Sequence, residues 1–467
     1  MEQILVPFQA ADQGRGAPSW GQRDLWGVGG HEGRHVTLGG VTALPRGTSV
    51  EAVAGIVSTL VTRHPTLRTR FHVDAARRLS EQIVSSSGEV ALAVLETDHP
   101  EQAAFDALVG FDQVRFDFGQ EWPLRMAVVR HRDELTHMVA VYNHIALDAR
   151  GLDAMLADMA ERETPPDGAA ALPPLEQASW QTSAAGRRQS ARALRHWDRI
   201  LREAPAQQFR KQRADADSPY VKLVLESEAA QLAVRAIAER TRQSTGYVLL
   251  AAYAAAVTHL SGSALVVLRV VVDNRFRPGL SDSVSAVSQM GLWSIDASAA
   301  TFDALLARAM TSSLDTYMNA YYNPEERQSL IESVERERGE PVVLDCCYND
   351  RRRGPQDLKP AADGVPTLTG GQNASAPTDP SEPVTRGTLR AALDRSVLRW
   401  EPWTAPTSPV GETLYLHIDD TPNGQGLVFT ICGDTAYLAP ADIEHCAHMI
   451  EDVLVQAALD SGAPIPG

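Results

Sequence analysis

The chain has 467 residues, of which 44% are hydrophobic, and it carries 43 Lys and Arg against 59 Asp and Glu for a formal net charge of −16. That length predicts two lobes or domains of roughly 200 residues each, and the hydrophobic share excludes both a disordered chain and a small disulfide scaffold. The acidic balance argues against general nucleic-acid binding, because phosphate contacts need clustered cations.

Taken in chain order, the opening MEQILVPFQA has neither a basic stretch nor a long apolar run. No secretory signal is expected. Residues 14–26 are polar and glycine-containing, with two tryptophans. Residues 50–63 place apolar side chains at helical spacing, and His64-Pro65 ends that helix, since proline lacks a donor and disfavours helix before itself. Residues 67–73 then read as a strand. Residues 124–129 and 135–142 read as two strands joined by a polar turn, and 151–163 as a helix with Leu152, Met155, Leu156 and Met159 on one face. His144 and Asp148 therefore sit on a strand-to-helix connection, where a rigid scaffold can hold an exposed reactive group.

Residues 164–174 are rich in Pro, Ala and Gly and read as a linker. A basic helix follows, with Arg188, Arg192, Arg195, Arg199, Arg202, Arg210 and Lys211 lying between Arg187 and Arg213. It reads either as a solvated face or as a docking patch for an acidic partner. Strands are expected at 221–225, 264–272 and 342–348, and helices at 229–243 and 247–260. The last of these is the most apolar stretch, and it falls short of the ~20 residues that span a bilayer. Residues 354–383 are polar and rich in Pro, Gly, Ser and Asp, and are expected to form a mobile surface loop. Residues 413–419 and 426–431 form a hairpin around Pro422-Asn423-Gly424, and 440–459 a closing helix. Strands alternating with helices in both halves indicate an α/β architecture in two lobes.

Cys346, Cys347, Cys432 and Cys446 form no C-x-x-C pair and have no zinc-site spacing with histidine. They read as buried free thiols in a reducing compartment, so a cytoplasmic protein without a membrane segment is expected. The chain has no nucleophile elbow, no phosphate-binding P-loop and no dinucleotide fingerprint.

The H-x-x-x-D spacing of His144 and Asp148 is weak alone. His448 and Asp452 share it inside the expected closing helix, where it only marks one face. Three readings stay open for His144: a satisfied buried histidine, a metal ligand with Asp148 although spacing supplies no third ligand, and a general base.

Several segments read together change the weighting. Ser19-Trp20-Gly21-Gln22-Arg23-Asp24-Leu25-Trp26 is similar to S-x-A-Q-x-R-L-W, and Arg63 through Phe71 (RHPTLRTRF) to R-H-E-x-L-R-T-x-F. Asn143-His144-Ile145-Ala146-Leu147-Asp148-Ala149 matches H-H-x-x-x-D-G in its second His and its Asp. Leu175 through Gln181 resembles Y-x-D-x-A-x-W-Q, His196-Trp197 through Pro205 resembles Y-W-x-x-x-L-x-x-x-P, and Asp273-Asn274-Arg275 resembles G-N-R. In this order the segments resemble the condensation domains of nonribosomal peptide synthetases, within the chloramphenicol-acetyltransferase-like superfamily. The resemblance implies two such lobes in a V with a tunnel between them, here divided as 1–174 and 175–467. It also implies a stand-alone enzyme that moves an acyl group from a carrier-protein thioester to an amine or alcohol. His144 would be the catalytic residue, Asp148 and Arg275 a pair shaping its loop, Asn143 a structural residue, and Asn349 a partner for the acyl oxygen. No cofactor or metal is implied. The substrate would ride a phosphopantetheine arm, and an acyl or peptidyl carrier protein would meet the basic helix 187–213. Two alternatives keep the fold: transfer from coenzyme A, and a non-catalytic protein that recruits partners. Asn143 in place of the first His, Ala149 in place of Gly, and no H-Q-x-x-P-F segment in 321–335 are the departures from the pattern.

Overall fold

The computed structural model describes residues 2–28, 36–160, 171–212, 220–352, 384–403 and 411–465. The expected linker falls largely outside these residues, and the expected loop at 354–383, with Arg213 at the end of the basic stretch, wholly so.

The first half contains β1 (Glu2–Gln9), β2 (Gly14–Gly16), α1 (Trp20–Val28), β3 (Thr37–Ala43), α2 (Val50–Arg63), β4 (Thr69–Val73), β5 (Leu79–Val84), β6 (Ser87–Glu96), α3 (Pro100–Gln113), β7 (Leu124–His131), β8 (Glu134–Asn143) and α4 (Ala149–Ala160). Its main sheet has the order β1-β6-β7-β8-β3, and β2-β5-β4 form a small second sheet. Alternation builds two layers on the main sheet. Leu92, Val94, Met126, Val128, Ala140 and Tyr142 face α2 and α4, whereas Ala93, Ala127 and Val139 face α3. Arg132 and Asp133 both adopt positive φ, which closes the tight turn between β7 and β8.

The second half contains α5 (Pro174–Thr182), α6 (Ala184–Glu203), β9 (Tyr220–Ser227), α7 (Glu228–Thr241), α8 (Thr245–Ser261), β10 (Leu265–Val272), β11 (Gln289–Asp296), α9 (Phe302–Met318), α10 (Pro324–Arg338), β12 (Cys346–Asp350), α11 (Arg386–Leu393), β13 (Val397–Glu401), β14 (Leu414–Asp420), β15 (Leu427–Asp434) and α12 (Pro440–Leu459). One sheet runs β11-β10-β12-β14-β15-β9-β13. Helices α7, α8, α9 and α12 bury its inner face, and every residue of α8 from Val248 to Val257 is buried. Among the described residues no helix is long and apolar enough to cross a membrane. The architecture is the expected α/β arrangement in two lobes.

Local readings needed correction where prolines or packing intervene. The strand expected at 67–73 begins only at Thr69, because Pro65 starts a short 3-10 turn at Pro65–Arg68. Residues 14–26 hold helix α1, whose start is capped by Ser19 and Gln22 through Ser19 N donating to Gln22 Oε1 at 2.7 Å. The strand expected at 342–348 pairs only over Cys346–Asp350.

The segments that carried the family resemblance join the two halves. Trp20 N donates to Gln181 Oε1 at 2.8 Å, and Gln181 Nε2 donates to Tyr321 Oη at 2.7 Å. Asp24 stands where the resembled pattern has Arg, and it pairs with Arg327 of α10 at 2.8 Å. Gly21 stands where that pattern has Ala. An added Cβ would lie 2.0 Å from Ala286 O, so the two backbones leave no room for a methyl group. Gly27, on the same helix, has open space around it. Gly21→Ala should therefore lose about 1–3 kcal/mol of stability through overpacking, whereas Gly27→Ala should be neutral or gain about 0.5–1 kcal/mol. Urea unfolding of both variants checks the contrast, and equal stabilities would refute the close approach.

Candidate functional site

Strand β8 ends in a turn that its own residues close. Asn143 Oδ1 accepts from Ile145 N at 3.0 Å, and Asn143 O accepts from Ala146 N at 3.0 Å. Ile145, Ala146 and Leu147 are buried, and Thr66 Oγ1 donates to Ala146 O, tying the RHPTLRTRF segment to the turn. Asn143 Nδ2 is buried without a partner. The residue thus acts through its oxygen, shaping the turn as an Asx motif. Ala149 is exposed at the first position of α4.

Asp148 caps α4. Its Oδ1 accepts from Gly151 N at 2.7 Å, and its backbone oxygen accepts from Leu152 N at 2.9 Å. The same carboxylate crosses to the second half. Arg275 grips it with both terminal nitrogens, Nη2 to Oδ1 at 2.8 Å and Nη1 to Oδ2 at 3.0 Å. Oδ2 also accepts from Val287 N at 2.9 Å, Ser288 N at 2.8 Å and Ser288 Oγ at 2.8 Å. Arg275 in turn donates to Ser283 O at 3.0 Å and Ser285 O at 3.2 Å. Gly151 is required beside this pair, since a Cβ there would sit 2.8 Å from Ser285 O. Burial alone would push the Asp148 carboxyl up, and Arg275 with the Ser288 and Val287 donors outweighs it, holding the group below its ordinary 3.8. With both oxygens engaged, Asp148 offers no free lone pair for a metal in this arrangement, and no cluster of three metal-ligating side chains occurs among the described residues.

His144 differs from its neighbours in being only partly tied. Its backbone N donates to Val36 O at 2.9 Å, while its side chain is partly exposed. Nδ1 is sealed from solvent with no hydrogen-bond partner, which leaves Nε2 as the ring nitrogen open to a reactant. Burial pulls the imidazole pKa below 6.5, against the opposing pull of Asp148 and of the His144 and Leu147 backbone. The ring is therefore neutral near pH 7, with a basic nitrogen available. His448 and Asp452, of identical spacing, lie exposed on α12.

Asn349 lies on β12, partly exposed and in register with His417 of β14. No hydrogen bond among the described residues joins it to His144. The end of its strand does approach the His144 loop, since Arg150 Nη2 donates to Arg352 O at 3.0 Å. Two residues escaped the sequence reading. Ser288 donates twice to Asp148, and nothing in its local sequence signals this. His417 has a sealed, unpartnered Nδ1, stacks on Tyr415 with ring centres 4.0 Å apart, and is pushed by burial down to about 3. All four cysteines are buried free thiols. Burial pushes Cys432 up to about 11 and Cys347 up to about 12, too high for nucleophiles near pH 7.

The lowered pKa of Asp148 makes its contribution to stability pH-dependent in a defined direction. A depressed carboxyl contributes fully above the unfolded-state value, and the contribution is lost as pH falls through the folded-state value. Asp148→Ala should cost about 3–5 kcal/mol near pH 7 by leaving Arg275 buried and unpaired. The gap between wild type and the variant should stay constant from about pH 5 upward and close below about pH 4. Urea unfolding across this range checks it, and a gap that widens in acid would be inconsistent with the geometry.

The condensation-domain family pattern matches residues 31–344. Over 299 residues, or 60% of this chain, the sequence is 25% identical to the phosphinothricin tripeptide synthetase PhsC of Streptomyces viridochromogenes, of which it spans only 27%. The fold is similar to the condensation domain that mediates chain release from the enacyloxin polyketide synthase, with a TM-score of 0.66 and 21% identity over 97% of this chain and 84% of that one. It is also similar to the X-domain solved in complex with OxyB from teicoplanin biosynthesis, with a TM-score of 0.68 and 17% identity over 100% of this chain and 98% of that one. The pattern spans about two thirds of the sequence, and both lobes align with condensation-type folds, so the chain belongs to the condensation-domain family.

Proposed function

We propose that this protein transfers an acyl group from a carrier-protein thioester to an amine or alcohol, forming an amide or ester in natural-product biosynthesis. The observation that carries this reading is the open Nε2 of His144, held on a loop where the Asn143 side-chain oxygen and the Asp148 carboxylate are committed to structure.

In this reaction His144 Nε2 accepts the proton of the attacking amine or hydroxyl as its nitrogen or oxygen bonds to the thioester carbon. The carbon–sulfur bond then breaks, and the phosphopantetheine thiol leaves with a proton. A neutral imidazole suits this step. Confinement of both reactants at the seam between the halves supplies the proximity. Asp148, Arg275 and Asn143 set the ring's position without touching the reacting atoms. Asn349, at the strand end near Arg150, is assigned to the acyl oxygen, where a donor stabilises developing negative charge. The phosphopantetheine arm belongs to the carrier, and the chain itself needs no bound cofactor for these steps. The exposed arginines of α6 provide steering charge toward an acidic carrier.

A second reading has one specific observation in its favour. The X-domain, solved in complex with OxyB, aligns over the whole chain, which supports reading this chain as a protein that binds a partner protein instead.

Acylated carrier protein and acyl coenzyme A, each offered with a panel of amines and alcohols and followed by mass spectrometry, separate these readings. His144→Ala should lower kcat by about 10²–10⁴-fold. Equal product from both proteins would remove His144 from the mechanism, and no product from any pair would favour recruitment. Because burial lowers the His144 pKa, the acid limb of kcat/KM should have its midpoint below 6.5. A midpoint above that value would contradict the buried, unpartnered Nδ1.

A further inference from the structure

The surface where α5, α6 and α9 meet holds two guanidinium groups without a counter-ion. Arg192 Nη2 and Arg277 Nη2 both donate to the same carbonyl, Met318 O, at 3.2 and 2.9 Å. Arg192 also reaches Gln189 Oε1 at 2.9 Å, and Arg277 Nε reaches Asn274 Oδ1 at 3.3 Å. All these acceptors are neutral. Among the described residues no carboxylate lies within ion-pair distance of either group, and exposed Asp315 on α9 pairs with neither. Most half-buried arginines elsewhere are neutralised: Arg327 by Asp24, Arg352 by Asp350, Arg338 by Glu340. Burial, reinforced by repulsion from Arg192, pulls Arg277 down to about 10. The fold thus holds like charges together at an electrostatic cost that a bound anion would relieve.

Exposed apolar side chains gather around these cations. Met318 is 47% exposed, Leu314 one turn earlier 51%, Phe276 55% and Trp180 39%. Trp180 stacks on Tyr321 at 6.0 Å, and the Arg277 guanidinium lies 5.1 Å from the ring centres of both Phe276 and Tyr321. Large apolar residues scattered singly on a surface need no explanation. A group of aromatic, Met and Arg side chains has the composition of a binding hot spot. Arg188, Arg192, Arg195 and Arg199 share one exposed face of α6 and extend the positive field from this centre.

We propose that this surface is the docking site for an acidic amphipathic helix of a carrier-type partner domain. An apolar side chain of that helix seats among Trp180, Phe276 and Met318, and its carboxylates neutralise Arg192 and Arg277. The identity of the partner rests on the acyl-transfer reading above; the position of the contact rests on the uncompensated arginines. The hot spot therefore lies at the N-terminal half of α6, with the remaining arginines acting in steering.

The test is direct binding, read without turnover, so that failure of acyl transfer leaves it intact. A purified holo peptidyl carrier domain of net negative charge is titrated against the full chain by calorimetry at about 50 mM and 300 mM salt, either side of the range where surface charge is screened. Arg192→Glu and Arg277→Gln should each weaken Kd roughly tenfold or more at low salt. Trp180→Ala should weaken it roughly tenfold at both salt concentrations, because its contribution is apolar burial. Arg390→Glu on α11 makes the same charge change as Arg192→Glu and should leave Kd within about twofold. Thermal melts confirm folding, and Arg192 is exposed enough for its variant to fold even where Arg277→Gln does not. Wild-type-like binding by the Arg192 and Trp180 variants, or no binding by the wild type at low salt, would overturn the proposal. So would displacement of the carrier domain by free coenzyme A, which would mark a small-molecule anion site instead.

Discussion

A carboxylate from one half of the chain is neutralised by a guanidinium from the other. Asp148 leaves the first half at the start of α4, and Arg275 leaves the second at the end of β10. Their bidentate pair is buried, with Asp148 only 2% exposed. Such a pair contributes little net stability, because desolvating two charges offsets most of their attraction. What it supplies is position. A carboxylate that has lost its water must find donors in fixed places, and here they come from Arg275, Gly151, Val287 and Ser288 together. That requirement fixes the start of α4, the His144 turn and the loop carrying residues 283–288 in one arrangement.

The same logic recurs along the seam. Gln181 bridges Trp20 and Tyr321, and Asp24 meets Arg327. Each is a polar group whose cost of burial is offset only when the partner half is in register. The seam is therefore specific rather than greasy, although Arg23 Nε, Arg275 Nε and Arg327 Nε are buried there without hydrogen-bond partners. Against that background two kinds of unsatisfied group stand out. One is the open Nε2 edge of the partly exposed His144, which suits chemistry. The other is a pair of arginines with no counter-ion, which suits a partner. The two features lie at separate places on this chain.

The expected elements were legible where local chemistry decides. Helix α2 runs over Val50–Arg63 and α12 over Pro440–Leu459, the spans their periodicity and flanking prolines predict. The hairpins around Arg132-Asp133 and Asn423-Gly424 follow from turn residues. Reading failed where the signal is short or non-local. Helix α1 hides in a glycine-containing segment, because it is held by tertiary contacts, Trp20 across the seam and Gln22 to Gln82 of β5, rather than by propensity. Ser288 and His417 carry no sequence mark, since their importance lies in which oxygen or ring they meet after folding.

By itself the sequence determined the alternation of elements, the two-lobe α/β class and, through an ordered set of short motifs, the family. It pointed to His144 only through that set, because the H-x-x-x-D spacing occurs again at His448. Tertiary structure decided what distinguishes the two pairs. Both oxygens of Asp148 are engaged by groups more than 100 residues away, whereas Asp452 stays in solvent on its own helix. It likewise decided which arginines of the basic stretch are neutralised and which are left bare. Local spacing sets which face of an element a side chain occupies, but charge compensation is a property of distant neighbours, and only the packed chain supplies them.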